Sequence, residues 1–317
     1  MLAEVHQFLK QGNFVRFVKW LLILLLLAGV SATTFGYLYL YVLPTGPDRT
    51  EAKPFPVGKD SFVIDAYTHT DRKTIRVWTY KPQQWTPEYP VLFVMHGMGR
   101  NAESYLDAWS EIAEQKSMMI VAPEFDSKFY RVVTNDYQEG NLKSYFGRPN
   151  PESEWAFTVV ENIFDHVNTI NGLSLSGYDI FGHSAGGQFV QRMIALKPDA
   201  RIRKAIAANA GSYTFLDDTV PYPYGLGSVN YNLGKSFAKQ LVVLLGELDN
   251  NAEQGQLDQT DSAMKQGAHR LERGTNFFQS SQAAADKQGS DFNWSLQVVP
   301  GVGHNYKRMS EAAAELL

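Results

Sequence analysis

The stretch Tyr178-Asp179-Ile180-Phe181-Gly182-His183-Ser184-Ala185-Gly186-Gly187 constrains this chain more than any other. An apolar run of strand character passes directly into the helix-compatible segment Gln188 to Leu196, with Gly182-x-Ser184-x-Gly186 at the junction. A serine at such a bend is lifted out of the sheet on a sharp turn, where backbone and helix crowd together and only small neighbours fit. The flanking glycines meet that need. In a chain with 25 glycines the short pattern alone is weak, so the strand before it and the helix after it carry the inference. Together they predict an exposed, nucleophilic Ser184 at the end of a buried strand.

The chain around this junction alternates between strand and helix. Phe62 to Ala66 and Thr74 to Tyr80 read as an antiparallel pair joined through Thr70-Asp71-Arg72, with Ile75, Val77 and Thr79 alternating with Arg76, Trp78 and Tyr80. Val91 to Met95 is wholly apolar, the mark of a parallel strand buried on both faces. Asn101 precedes a helix carrying Tyr105, Trp109 and Ile112, and Met118 to Ala122 is a buried strand closed by Pro123. A long irregular stretch, 124–151, holds Tyr130, Tyr137, Tyr145 and Phe146, and a helix follows with Trp155, Val159, Ile163 and Val167 inward. Beyond the serine come a strand at Ala205 to Asn209, a second aromatic loop over 211–234, a strand at Leu241 to Leu245 and a polar loop over 247–274. A helix near Thr275 to Lys287, a last strand at Trp294 to Val299 and a closing helix, Met309 to Leu317, complete the chain. No internal repeat is visible. The expected class is α/β, a mostly parallel central sheet with helices on both faces, formed by one domain over 59–317. Ligands in such sheets bind beyond the carboxyl ends of the strands.

The first 42 residues differ in kind. From Trp20 to Val42 there is no charged residue, and as a helix this span covers about 34 Å, enough to cross a hydrocarbon core. Trp20 at one end and Tyr37, Tyr39 and Tyr41 at the other fit interfacial belts, and Lys10, Arg16 and Lys19 precede the span. The expectation is a basic cytoplasmic tail over 1–19, a single transmembrane anchor over 20–42 and a domain outside the cytoplasm. The alternative is a secreted protein cut near Val30-Ser31-Ala32. Pro44, Pro47, Pro54 and Pro56 make 43–58 an extended linker holding the domain off the bilayer.

The formal net charge of −4 gives no reason to expect a nucleic-acid partner, and with no cysteine disulfides and thiolate chemistry are excluded. No H-E-x-x-H or H-x-x-E-H is present, and Asp249-Asn250-Asn251 lacks the spacing of a calcium loop. Neither a metal nor a cofactor is expected.

A serine hydroxyl is a poor nucleophile at neutral pH and needs a base in hydrogen-bond reach, itself held by a third group. His304 follows the last buried strand in a glycine-rich loop and is the expected base. Asp249, just past the Leu241 to Leu245 strand, is the expected acid, with Glu247, Asp258 and Asp261 as substitutes. The oxyanion of a tetrahedral intermediate needs two backbone donors. Ala185 N–H is one; Met98 N–H, in His96-Gly97-Met98-Gly99, is the preferred other, with Gly97 beside it. His96 and His183 read as orienting or packing groups. The two tyrosine-rich loops either border a substrate pocket or pack on the surface.

Over about Phe62 to Leu317, the His96-Gly97-Met98-Gly99 turn, the Gly182-His183-Ser184-Ala185-Gly186 bend and the late Asp249 and His304 resemble the α/β-hydrolase superfamily. Within it the layout is similar to esterases of the poly(3-hydroxybutyrate) depolymerase and feruloyl esterase group. The disulfides and extra polymer-binding module common in secreted members have no counterpart here, which points away from polymer hydrolysis. The resemblance implies a serine hydrolase acting on a small-molecule carboxylic ester, which the apolar span would anchor in the membrane. A serine peptidase of the same fold and a catalytically silent binding protein are the alternatives.

Overall fold

The computed structural model describes residues 13–317 apart from 44, 133 and 254, and no side-chain environment is given for 13, 40 and 41. The greater part of the expected basic tail, residues 1–12, lies outside the described residues. Two compact units are present, Met1–Thr45 and Gly46–Leu317.

The first unit is built on one helix, α1 (Asn13–Tyr37), continued by a π-helical turn over Leu38–Val42. Phe14–Tyr37 is long and apolar enough to cross a membrane or to serve as a signal sequence. The helix begins seven residues before the expected Trp20, because Phe14, Val15, Phe17 and Val18 extend the apolar surface past Arg16 and Lys19.

The second unit is an eight-stranded sheet in the order β1-β2-β4-β3-β5-β6-β7-β8. Its strands are β1 (Gly58–Tyr67), β2 (Thr70–Lys81), β3 (Val91–Met95), β4 (Met119–Glu124), β5 (Tyr178–His183), β6 (Ile202–Ala208), β7 (Gln240–Gly246) and β8 (Trp294–Val299). β1 pairs antiparallel with β2, and β2 antiparallel with β4; every other pairing is parallel. Pro123 does not end β4 as expected: it pairs with Val77 inside the strand, which runs on to Glu124.

Helices cover both faces, which explains why β3 carries no polar residue. Leu92 and Val94 point into a core shared with Tyr105, Leu106 and Trp109 of α2 (Ala102–Lys116) and Met309 and Ala313 of α8 (Tyr306–Ala314). Val91, Phe93 and Met95, one residue out of phase, point into the opposite core. There they meet Ile163 and Phe164 of α3 (Ala156–Asn171), Phe189 and Met193 of α4 (Ala185–Leu196) and, further along the sheet, Phe277 of α7 (Arg270–Gln288). The two-residue period of a strand thus feeds two cores from one apolar run. Two short helices, α5 (Leu233–Phe237) and α6 (Asp261–Met264), interrupt stretches expected to be loop.

The proline-rich linker does not extend to residue 58. From Gly46 onward the chain lies along the domain: Thr74 Oγ1 donates to the Pro47 carbonyl at 2.6 Å, and Thr50 N–H donates to the Val63 carbonyl at 3.2 Å. Phe55 is buried, 5.0 Å from the Phe62 ring. The prolines remove strand donors, but the hydroxyl and the aromatic ring between them still find partners on β1 and β2, so the segment is held flat.

Candidate active site

β5 ends at His183 and α4 begins at Ala185, leaving Ser184 alone in the turn at φ +60°, ψ −116°. A residue with a Cβ adopts that conformation only under constraint. The constraint is the close approach of three backbone segments. A Cβ on Gly182 would stand 2.2 Å from the Gly186 carbonyl oxygen, and one on Gly186 would stand 2.1 Å from that of Met95. Ser184 N–H is tied to the Ala208 carbonyl at 3.0 Å, and its own carbonyl accepts from Gln188 N–H at 3.0 Å. The side chain is thereby pushed above the carboxyl edge of the sheet.

His304 leaves β8 on the loop 300–305 and places Nε2 3.1 Å from Ser184 Oγ. Its Nδ1 lies 2.6 Å from Asp249 Oδ2, and Asp249 is fully buried. Asp249 is held by neighbouring loops: Leu248 N–H donates to the Val302 carbonyl at 2.8 Å, and Leu271 N–H donates to the Asp249 carbonyl at 3.1 Å. A carboxylate accepts only, so the Asp249 contact assigns the proton to Nδ1 and leaves the Nε2 lone pair to accept the serine proton. The substitutes for the acid are engaged elsewhere. Glu247 accepts from Gly301 N–H at 2.7 Å, Asp258 accepts from the Tyr224 hydroxyl at 2.6 Å, and Asp261 opens α6.

On the loop after β3, the Gly97 carbonyl accepts from Arg100 N–H at 3.1 Å and from His96 Nδ1 at 2.9 Å. His96 Nε2 in turn accepts from Phe125 N–H at 3.1 Å, which fixes the proton on Nδ1. Burial, with Arg100 adding to it, brings the His96 pKa down to about 3, so the ring stays neutral and keeps this pattern. Because the Gly97 carbonyl and Met98 N–H belong to one peptide plane, holding the carbonyl on His96 turns the Met98 N–H the other way. The Tyr105 hydroxyl stands close to Gly97, where a Cβ would come within 2.7 Å of it. Ala185 N–H, at the first position of α4, has no carbonyl one turn back to bond with.

Three further groups surround the site, of which Arg270 alone carried no signal in the sequence. Arg270, 2% exposed, brings Nη1 to 3.5 Å from Asp249 Oδ1 and donates from Nη2 to the Gly255 carbonyl at 2.5 Å. Gly255, at φ +66°, lies against the histidine: a Cβ there would come 2.7 Å from His304 Cδ2. One guanidinium thus bridges the acid and the loop covering the imidazole. Arg270 opens α7, whose first turn falls within the polar loop expected over 247–274. Gly274 instead permits close packing, since a Cβ would stand 2.5 Å from Leu245 Cδ2. His183, the second group, lies with its ring 4.6 Å from that of His304 and its Nδ1 3.1 Å from the Tyr105 hydroxyl. Burial first, then the charges of His304 and Arg270, hold its pKa well below the usual histidine value. The third is Tyr137, whose hydroxyl donates to the His96 carbonyl at 2.7 Å while its ring stacks 4.5 Å from the imidazole. It comes from the first tyrosine-rich loop, of which Tyr130 is also buried and Tyr145 and Phe146 are exposed. Among the described residues no group of three or more histidine, aspartate or glutamate side chains is arranged to hold a metal ion.

No protein-family model and no curated protein sequence matches the chain. Solved structures do. The poly(aspartic acid) hydrolase-1 of Sphingomonas sp. KT-1 superposes with a TM-score of 0.79 at 37% identity, covering 83% of this chain and 99% of that one. The poly(3-hydroxybutyrate) depolymerase LpqC of Bordetella parapertussis superposes at 0.78 with 31% identity, covering 82% and 89%. The chain belongs to the α/β-hydrolase superfamily. A fluorophosphonate-binding serine hydrolase of Staphylococcus aureus, at 14% identity and a TM-score of 0.53 over 82% of this chain and 97% of that one, shares the fold. This α/β-hydrolase is accordingly a hydrolase by kinship, and Ser184, Asp249 and His304 occupy three strand exits on one edge of its sheet.

Proposed function

We propose that the protein is a membrane-anchored serine hydrolase that cleaves carboxylic esters through an acyl-enzyme. The hydrogen-bonded line from Ser184 Oγ through His304 to the buried Asp249, at 3.1 and 2.6 Å, carries this reading. His304 Nε2 takes the hydroxyl proton as Oγ attacks the ester carbonyl, and Asp249 stabilises the imidazolium. Met98 and Ala185 N–H receive the oxyanion; a donor of this kind is worth about 3 kcal/mol of barrier. His304 then gives its proton to the departing alkoxide, and water, deprotonated by the same nitrogen, releases the acid and restores Ser184. No cofactor enters the scheme, and no nucleic acid is a partner.

The substrate reading is a small ester reaching the site from outside the cytoplasm. Arg16 and Lys19 on the amino-terminal side of α1 support an orientation with the amino terminus inside, and α1 serves as an uncleaved anchor. Similarity to a poly(aspartic acid) hydrolase favours one second reading, an amide bond in an acidic polymer. The test is a panel given to the purified full chain: p-nitrophenyl esters of graded acyl length, poly(3-hydroxybutyrate) oligomers and poly(aspartic acid). Ester turnover abolished by Ser184→Ala supports the proposal, turnover of poly(aspartic acid) alone moves it to the second reading, and turnover retained by Ser184→Ala refutes both. Protease added to intact spheroplasts tests the topology: digestion beyond Val42 agrees with it, and full protection contradicts it.

A further inference from the structure

β6 stops one residue short of its expected end, and the residue it leaves out, Asn209, is fully buried at φ +45°. Asparagine enters the left-handed region more readily than most residues, but a buried one is held there by its surroundings. The peptide unit entering it is bound on both sides: the Ala208 carbonyl accepts from Ser184 N–H at 3.0 Å, and Asn209 N–H donates to the Leu244 carbonyl at 3.0 Å. In a continuing parallel ladder the next bond would run from Gly246 N–H to the main-chain carbonyl of Asn209. Gly246 N–H donates instead to the side-chain Oδ1, at 2.7 Å. The other end of the side chain, Nδ2, donates to the Gly303 carbonyl at 3.2 Å.

These two partners fix both the orientation and the identity of the side chain. An N–H can only donate and a carbonyl can only accept, so the position requires an acceptor and a donor side by side. A carboxylate of the same size offers no donor, and leucine, of similar shape, offers neither.

Both partners lie just before the residues that meet Ser184. The Gly246 carbonyl accepts from Asp249 N–H at 3.0 Å, closing the turn that presents the acid. Gly303 directly precedes His304, and its carbonyl also accepts from Asn305 N–H at 2.8 Å. Because that carbonyl and His304 N–H share one peptide plane, holding it sets the angle at which the chain enters the histidine. The two exits pass in contact: a Cβ on Gly246 would stand 2.5 Å from the Val302 carbonyl oxygen and 3.0 Å from that of Gly303. One side chain thus joins the exits of β7 and β8, and the main chain leading into it joins them to Ser184.

We propose that Asn209 is a positioning residue of the site: its carboxamide sets the spacing of the Asp249 and His304 loops and thereby the approach of His304 Nε2 to Ser184 Oγ. It acts only through the histidine and its acid. The inference rests on Ser184, Asp249 and His304 working together and not on the nature of the acyl group, so the test uses a probe that reports the serine alone.

The measurement is the rate at which a fluorophosphonate labels Ser184 in the full chain in mild nonionic detergent, per folded molecule as judged by tryptophan fluorescence. Asn209→Gly suits the positive φ and removes both bonds; labelling should slow by about tenfold to a hundredfold, the scale of a misplacement of about 1 Å at the reacting atoms. Asn209→Asp keeps the oxygen for Gly246 N–H and sets a second acceptor against the Gly303 carbonyl, so it too should be slowed. The deciding variant is Asn209→Gly/His304→Ala. A residue that acts only through the imidazole adds nothing once the imidazole is gone, and the pair should label no more slowly than His304→Ala alone. A multiplied loss in the double variant would mean that Asn209 supports the domain as a whole, and wild-type labelling in Asn209→Gly would mean that the carboxamide is a satisfied core group; either overturns the proposal. Failure of both single Asn209 variants to fold would make the residue a requirement of the fold and would overturn it as well. If His304→Ala itself labels Ser184 at the wild-type rate, the triad reading fails, and the proposal falls with it whatever Asn209 does.

Discussion

The strain at Ser184 leads to a measurable inversion of the usual rule that glycine destabilises. At φ +60°, ψ −116° a residue with a Cβ carries a conformational cost of about 1–3 kcal/mol. Ser184→Ala and Ser184→Gly both lose Oγ and its 3.1 Å contact with His304, so their difference isolates backbone and Cβ. Glycine releases the strain but frees the unfolded chain by about 0.5–1 kcal/mol. It also gives up part of one half-buried methyl, under about 0.8 kcal/mol. The balance makes Ser184→Gly more stable than Ser184→Ala by about 1 kcal/mol, with both inactive. Urea unfolding of the two full-length variants in mild nonionic detergent, followed by tryptophan fluorescence, measures the gap from the midpoints at equal slope. If the glycine variant is equal to or weaker than the alanine variant, Ser184 is not strained, and the account of why the nucleophile stands clear of the sheet is wrong.

Arg270→Met leaves the buried Asp249 without its cation and should cost about 3 kcal/mol of stability, with Arg270→Lys recovering part of it. A urea midpoint unchanged in Arg270→Met would mean that Arg270 does not hold the site together. Gly186→Ala drives a Cβ into the Met95 carbonyl and should destabilise by at least about 2 kcal/mol, whereas Gly172→Ala, at a helix end with open space around it, should leave activity intact. Stability should fall on acidification. His96 and His183 are held neutral in the fold and protonate near pH 6.5 when unfolded, so the unfolded state binds more protons below that value. Each should contribute a loss of about 1 kcal/mol between pH 6.5 and 5.5. A urea midpoint flat over that interval would contradict their burial as neutral rings.

What could be read from the sequence followed from burial. β3 is apolar, and both β3 and β5 are buried, on every residue because both faces are covered, and Ser184, Asp249 and His304, just past parallel strands, had to lie on the carboxyl edge. Their meeting in space then required only the sheet order. Arg270 was not readable, since an arginine at a helix start ordinarily faces water and its burial against Asp249 is decided by packing of α7 on β7. The first turn of α7 was missed for a related reason: Gly274 lies inside the helix because it packs closely on Leu245, a contact that depends on the neighbouring strand. The prolines over 44–56 suggested a free spacer because sequence shows the donors they remove and not the partners that Thr50 and Phe55 find on β1.

The central claim is that His304, oriented by Asp249, makes Ser184 nucleophilic. A fluorophosphonate added to the folded full chain, followed by peptide mass analysis, tests it most directly. The account predicts one phosphonyl adduct per chain, on Ser184, formed at least a hundredfold more slowly in His304→Ala and absent in Ser184→Ala. An adduct elsewhere, or labelling of Ser184 at the same rate without the imidazole, would contradict it.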